Sequence, residues 1–132
     1  MKDFEINVKL KLAALWISAT FCYLYGDYFE LYTPGKIDSL LSGDNVLDSP
    51  EILLIAALVM IIPPLMVVAS LMLKPKLNRW LNIVFGTIFT MLMLLIAVGS
   101  LTPWYRFYVF LALVESVLTA LVVWHALKWP KE

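Results

Sequence analysis

The sequence is poor in charge and nearly empty of cysteine and histidine. Lys, Arg, Asp and Glu together make up 15% of its 132 residues, against about 25% in an ordinary soluble domain. A solvated disordered tail, which is rich in charge and poor in apolar residues, is excluded. The lone cysteine, Cys22, rules out an internal disulfide framework and any CxxC redox or metal site. The lone histidine, His125, has no second His or Cys beside it, so no metal site is read there. The 10 basic and 10 acidic residues cancel, and no nucleic-acid partner is expected. No phosphate-cradling glycine loop, nucleophile elbow, zinc-binding helix or cofactor fingerprint is present. No cofactor is expected, and an enzyme is the least favoured class.

What is abundant is apolar surface. Hydrophobic residues make up 62% of the chain, and mean hydropathy is +0.87. A chain this short buries only about two-thirds of its surface on folding, so a water-soluble fold would leave much of this exposed. The expected class is an all-α polytopic membrane protein, a single domain of four transmembrane helices in an antiparallel bundle. A spanning helix needs about 20 largely apolar residues. Four segments qualify, at about 12–31, 52–73, 80–101 and 105–127, with a polar loop at 32–51. Long continuous apolar runs exclude a transmembrane β-barrel, whose strands alternate. Lys2, Lys9 and Lys11 precede the first run, but Tyr23-Leu24-Tyr25-Gly26-Asp27 is no signal-cleavage site, so an uncleaved first helix is expected.

Basic residues set the expected orientation. Lys2, Lys9, Lys11, Lys74, Lys76, Arg79, Lys128 and Lys131 fall on one side, and Lys36 and Arg106 on the other. This bias puts both termini and the 74–79 turn in the cytoplasm. The long loop then faces outward, with Asp27, Glu30, Asp38, Asp44, Asp48 and Glu51 on or near that side. Within it, Thr33-Pro34-Gly35 ends the first helix and 36–41 suits a short interfacial helix. Ser42-Gly43-Asp44-Asn45 reads as a turn, and Asp48 or Ser49 as an N-cap before Pro50.

Lipid gives helices no hydrophobic reason to associate, so small residues at close approaches matter. Ala14, Ser18, Cys22 and Gly26 form one ridge four residues apart, and Ala112, Ser116 and Ala120 another. Both read as packing faces, within one chain or between chains. Pro63 and Pro64 fall mid-span and cannot donate to the carbonyls of Val59 and Met60, which predicts a kink.

The most informative residue is Glu115, near the centre of the fourth span. A charge at that depth costs about 2.5–3.5 kcal/mol on insertion scales. Two readings stand: an ion, proton or ligand site, or a carboxyl hydrogen-bonded across helices. Asp27 lies toward the outer end of helix one, on a stripe with Trp16, Thr20 and Tyr23; Tyr108, Ala112, Glu115 and Thr119 form a second stripe. With Thr87 and Thr90 of the third span, these groups form a candidate pocket. Tyr23 and Thr90 match Glu115 in depth and are its expected partners, while Arg106 at the mouth is placed to pair with Asp27 or Glu30. Asn82 reads as a polar residue tolerated at the interface. The leading function is a small membrane-embedded binding or permeation unit for an ion, proton, or small or lipidic ligand. The rival is a structural or accessory subunit docked on a larger membrane complex; a homo-oligomer fits either.

Leu15-Trp16, Tyr25 and Asp27 in helix one, and Glu115 in helix four, carry a resemblance. The chain resembles a family of small bacterial four-helix membrane proteins of unknown function, with an LW opening and a Tyr-x-Asp element. Gly26 stands where that pattern more usually has Ala. The resemblance covers essentially the whole chain. It implies a bacterial inner membrane and no particular activity.

Overall fold

The structure is a computed structural model that describes residues 6–43 and 49–129. Lys2, Asp44, Asn45, Asp48 and Lys131 of the sequence reading lie outside the described residues. The described residues are all-helical. Helix α1 spans Val8–Glu30, α2 Lys36–Ser42, α3 Pro50–Met60, α4 Ile62–Met72, α5 Pro75–Gly99 and α6 Arg106–Leu127, the last entered through a 3-10 turn at Pro103–Tyr105. Taking α3 and α4 as one span, four helices are long and apolar enough to cross a membrane: Val8–Glu30, Pro50–Met72, Pro75–Gly99 and Pro103–Leu127. The short α2 makes five helices among the described residues, where a bundle of four was expected.

Local chemistry fixes most boundaries. Asn7 caps α1 by accepting from the Lys9 amide at 2.8 Å. Thr33 Oγ1 donates to the Glu30 carbonyl at 2.8 Å where α1 ends. Helix α2 lies between Gly35 and Gly43, both at φ 80°, a left-handed conformation that glycine adopts without penalty. Ser49 caps α3 by accepting from the Ile52 amide at 3.1 Å. The third span begins at Pro75, five residues before the expected 80. Proline is preset for the first helical position, so the basic 74–79 segment is the first turn of α5 and not a loop. Pro63 and Pro64 coincide with a break at Ile61, between α3 and α4.

Contacts fix the helix directions. Trp16 meets Asn82 and Tyr23 meets Phe89, so α1 and α5 run in parallel. Gly86 faces Val123 and Thr90 faces Thr119, so α6 runs against α5. Helix α5 lies along α6, α6 along α1, and α1 along α4. Helix α3 has no extensive contact except with α4 and contributes no buried residue. Ile52, Leu53, Leu54, Ile55 and Leu58 of α3 are all exposed.

The core joins Leu12, Trp16, Ala19, Tyr23, Met66, Phe89, Met93 and Val122. Trp16 and Phe89 meet edge-to-face at 6.0 Å, a geometry the ring quadrupoles favour. Below them lies a polar clamp. Asn82 Oδ1 accepts from Trp16 Nε1 at 2.7 Å and from Ser70 Oγ at 3.3 Å. Asn82 Nδ2 donates to Asn78 Oδ1 at 2.7 Å, and Asn78 Nδ2 donates to the Ser70 carbonyl at 2.7 Å. Trp16, Ser70, Asn78 and Asn82 are fully buried, so Asn82 is a core residue and not an interface one. These bonds tie α1, α4 and α5 together near the basic end. Arg79 extends the tie to α6, where its Nε donates to the Ala126 carbonyl at 3.0 Å.

The packed face of α1 is Leu12, Ala13, Trp16, Ala19, Tyr23 and Gly26. On the proposed small-residue ridge, Gly26 is buried, Cys22 is half-buried, and Ala14 and Ser18 lie on the outside of the chain. On α6, Ala112 and Ser116 are buried and Ala120 is exposed. The tightest approach lies elsewhere. A Cβ on Gly86 would sit 2.8 Å from Val123 Cγ2 and 3.3 Å from the Thr119 carbonyl oxygen, so α5 and α6 touch there because residue 86 has no side chain.

Candidate functional site

Glu115 is 4% exposed. It sits on the inward face of α6 with Ala112, Ser116 and Thr119. The neighbouring hydroxyls are turned to other acceptors. Ser116 Oγ donates to the Ala112 carbonyl at 2.8 Å. Thr90 Oγ1 and Thr119 Oγ1 are 2.7 Å apart, and each also reaches a carbonyl one turn back, Gly86 at 2.7 Å and Glu115 at 3.0 Å. One hydroxyl hydrogen apiece saturates that pair. Thr90 therefore partners Thr119 and not the Glu115 carboxyl group, which receives no hydrogen bond among the described residues.

The carboxyl group instead lines a narrow crevice of about 90 Å³. Tyr23, Gly26 and Asp27 of α1 form one wall, and Tyr108, Leu111, Ala112 and Glu115 of α6 another. Leu92, Met93 and Ile96 of α5 and Met60 at the end of α3 complete it with apolar side chains. Tyr23 is 6% exposed, and its Oη is buried without a hydrogen-bond partner. A buried phenol is ordinarily satisfied by protein or ordered water, so two polar groups without protein partners share one space.

The remaining candidate residues divide between this crevice and the surface. Asp27 lines the crevice while being exposed at its rim. Thr119 and Thr90, bonded to each other, do not line it. Arg106 is exposed and lines no part of the crevice. Among the described residues the one ion pair joins Lys36 Nζ to Glu30 at 3.4 Å, so Arg106 pairs with neither Asp27 nor Glu30. Thr87 is also exposed. His125 stacks edge-on against Trp124 at 4.9 Å. No group of three or more His, Cys, Asp or Glu able to hold a metal ion exists among the described residues.

The sequence reading missed Asn78 and Ser70, the bonded partners of Asn82, and Gly86 at the α5–α6 contact. Asn78 and Asn82, one turn apart on the third span, carried a signal: both amides fall on one face of α5. Tyr108 was seen only as part of a stripe, yet its ring forms the outer wall beside Gly26, 3.7 Å from a Cβ placed there.

No curated protein and no solved structure matches the chain. A family model, the Family of unknown function (DUF6326), matches residues 1–132, and the chain belongs to that family.

Proposed function

We propose that this protein is a multi-pass protein of a bacterial inner membrane, with both termini and the basic end in the cytoplasm. We propose that its crevice is a membrane-embedded binding site for a proton or a small cation. The eight-to-two distribution of basic residues supports the orientation. The observation that carries the functional reading is Glu115, a nearly buried carboxyl with no hydrogen bond among the described residues, facing the same small space as the unpartnered Tyr23 Oη.

Intramembrane carboxyls are commonly paired or placed on ion and proton pathways. The absence of a cross-helix hydrogen bond to Glu115 favours the second role over a packing role. Size narrows the occupant. A volume of about 90 Å³ holds roughly three waters at about 30 Å³ each. Sites for drug-sized ligands run to about 300–1,000 Å³. A lipidic ligand is therefore disfavoured, and a proton or hydrated small cation is favoured.

The test compares wild type with Glu115→Gln by infrared spectroscopy in lipid. Wild type should show a carboxyl band that responds to bulk pH or to added Na⁺ or K⁺, and Gln should fold but lose it. Identical spectra across the series would refute the reading.

A second reading, an accessory subunit or a homo-oligomer, is supported by the outward position of Ala14, Ser18 and Ala120 on the single chain. Native mass spectrometry from mild detergent separates the two readings. A stable complex whose interface is broken by Ser18→Leu would favour the second.

A further inference from the structure

We infer that Glu115 is reached from one end of the molecule only, the end that carries α2, through a blind passage that admits cations and does not cross the protein. The inference rests on the crevice being a hydrated site, and adds the route by which it fills.

The direction follows from the chain. Helix α1 rises from the basic end toward α2, and the crevice touches it only at Tyr23, Gly26 and Asp27. Helix α6 descends, and the crevice touches it from Tyr108 down to Glu115. The walls on α1 and α6 therefore extend from Glu115 toward the α2 end, with Tyr23, packed on Phe89, at the inner limit. Asp27, exposed at the rim, marks the mouth.

On the far side of Glu115 the protein is closed in successive layers. The Thr90–Thr119 pair comes first, at 2.7 Å. Phe89, 1% exposed, contacts both Tyr23 at 5.9 Å and Trp16 at 6.0 Å. At Gly86, α5 packs so closely on α6 that a Cβ would lie 2.8 Å from the Val123 side chain and 3.3 Å from the Thr119 carbonyl oxygen. The clamp of Trp16, Asn82, Ser70 and Asn78 follows, fully buried and internally hydrogen-bonded. These layers leave no route for water.

Charge sets the selectivity. The ionisable groups facing the passage are Asp27 and Tyr23 from α1 and Tyr108 and Glu115 from α6. Helices α3 and α5 contribute only apolar side chains, and no basic residue among the described residues lines it. An anion meets carboxyl groups and no compensating charge, whereas a hydrated cation meets the oxygens of Asp27, Tyr23, Tyr108 and Glu115 between otherwise apolar walls. In this conformation the protein binds and does not conduct.

The test uses single cysteines in a Cys22→Ser background, in sealed membrane vesicles of both orientations. Ala112→Cys and Gly26→Cys place a thiol in the crevice wall; a Cβ at Gly26 meets only ordinary contacts at 3.7 Å. Leu41→Cys on α2 and Lys76→Cys at the start of α5 report which end faces the bath, whatever the topology. The probe is Ag⁺, a monovalent cation that bonds thiols, and the readout is loss of later maleimide labelling after denaturation. Each variant is first checked for cooperative unfolding, and the two wall positions substitute for one another. Blocking of the wall cysteine only in vesicles where Leu41→Cys is also blocked is the expected result. Blocking from both sides, or only from the Lys76 side, overturns one-sided access and leaves the site standing. No blocking from either side, with both markers reacting, overturns the hydrated site and the inference together.

Discussion

Replacing Asn82 with leucine, which has the same number and branching of side-chain heavy atoms, removes the centre of the polar clamp while roughly keeping its shape. The amide makes four contacts: two accepted, from Trp16 at 2.7 Å and Ser70 at 3.3 Å, and two donated, to Asn78 Oδ1 at 2.7 Å and the Asn78 carbonyl at 2.9 Å. Two of the four cross to other helices, at Trp16 and Ser70, and hydrogen bonds between membrane helices average about 0.6 kcal/mol each, which gives about 1 kcal/mol for the pair. Leucine also leaves the indole N–H of Trp16 buried without an acceptor, and such an orphaned group costs about 1–3 kcal/mol. The expected loss is therefore about 2–4 kcal/mol. Reversible unfolding by SDS in mixed micelles measures it, with tryptophan fluorescence as the signal. A double-mutant cycle with Trp16→Phe isolates the α1–α5 bond, and its coupling energy should be about 0.5–1.5 kcal/mol. If Asn82→Leu is as stable as wild type, or if the cycle shows no coupling, the clamp does not hold these helices together.

Gly86→Ala should destabilise by about 1–3 kcal/mol, because its Cβ would meet Val123 at 2.8 Å; an unchanged unfolding midpoint would mean that α5 and α6 separate at no cost. Ser18→Leu should change the stability of the single chain by less than about 0.5 kcal/mol, since residue 18 is exposed. Gly26→Leu should fill the crevice beside Leu111 and Tyr108, lowering the midpoint in the same assay; equal effects at positions 18 and 26 would contradict the assigned faces of α1. The phenol of Tyr32 is held above the ordinary tyrosine range by its hydrogen bond to Tyr28 and by that neighbour's charge. Ultraviolet titration should therefore show the Tyr32 component ionising at lower pH in Tyr28→Phe than in wild type, and an unmoved curve would refute the pairing.

Length and polarity were enough to find the four helices long and apolar enough to cross a membrane, because a crossing requires about 20 apolar residues and little else in the chain is that long. Pro63–Pro64, Ser49–Pro50 and Thr33-Pro34-Gly35 likewise announced a break, a start and a stop through backbone chemistry that acts locally. The inward face of each helix was far less legible. In a soluble helix the polar side marks the outside, but here Leu24, Leu58 and Leu95 face outward and Leu12 and Phe89 inward. Small residues four apart did not resolve this for α1, where Ala13 and Ala19 are packed and Ala14 and Ser18 are not. Glu115 stood out because a carboxyl at that depth has few explanations. Asn78 and Asn82 did not, because amides near a basic turn look like solvated groups until their partners on α1 and α4 are seen.

The bond between Trp16 and Asn82 spans 66 residues of chain, and it joins the first span to the third. At about 5–20 residues per second of synthesis, several seconds separate the appearance of its two ends. In the proposed bilayer setting, α1 therefore spends those seconds among lipids with its indole N–H and the Tyr23 hydroxyl lacking their final surroundings. Helix α6, which covers the rest of its inward face, arrives later still. Helices α5 and α6, joined by the six residues 100–105, which include the 3-10 turn at Pro103–Tyr105, are instead synthesised next to each other. The order of biogenesis is a late hairpin closing onto a waiting first helix, so lesions at Trp16 or Asn82 should appear as prolonged exposure of a newly made α1 to quality-control proteases.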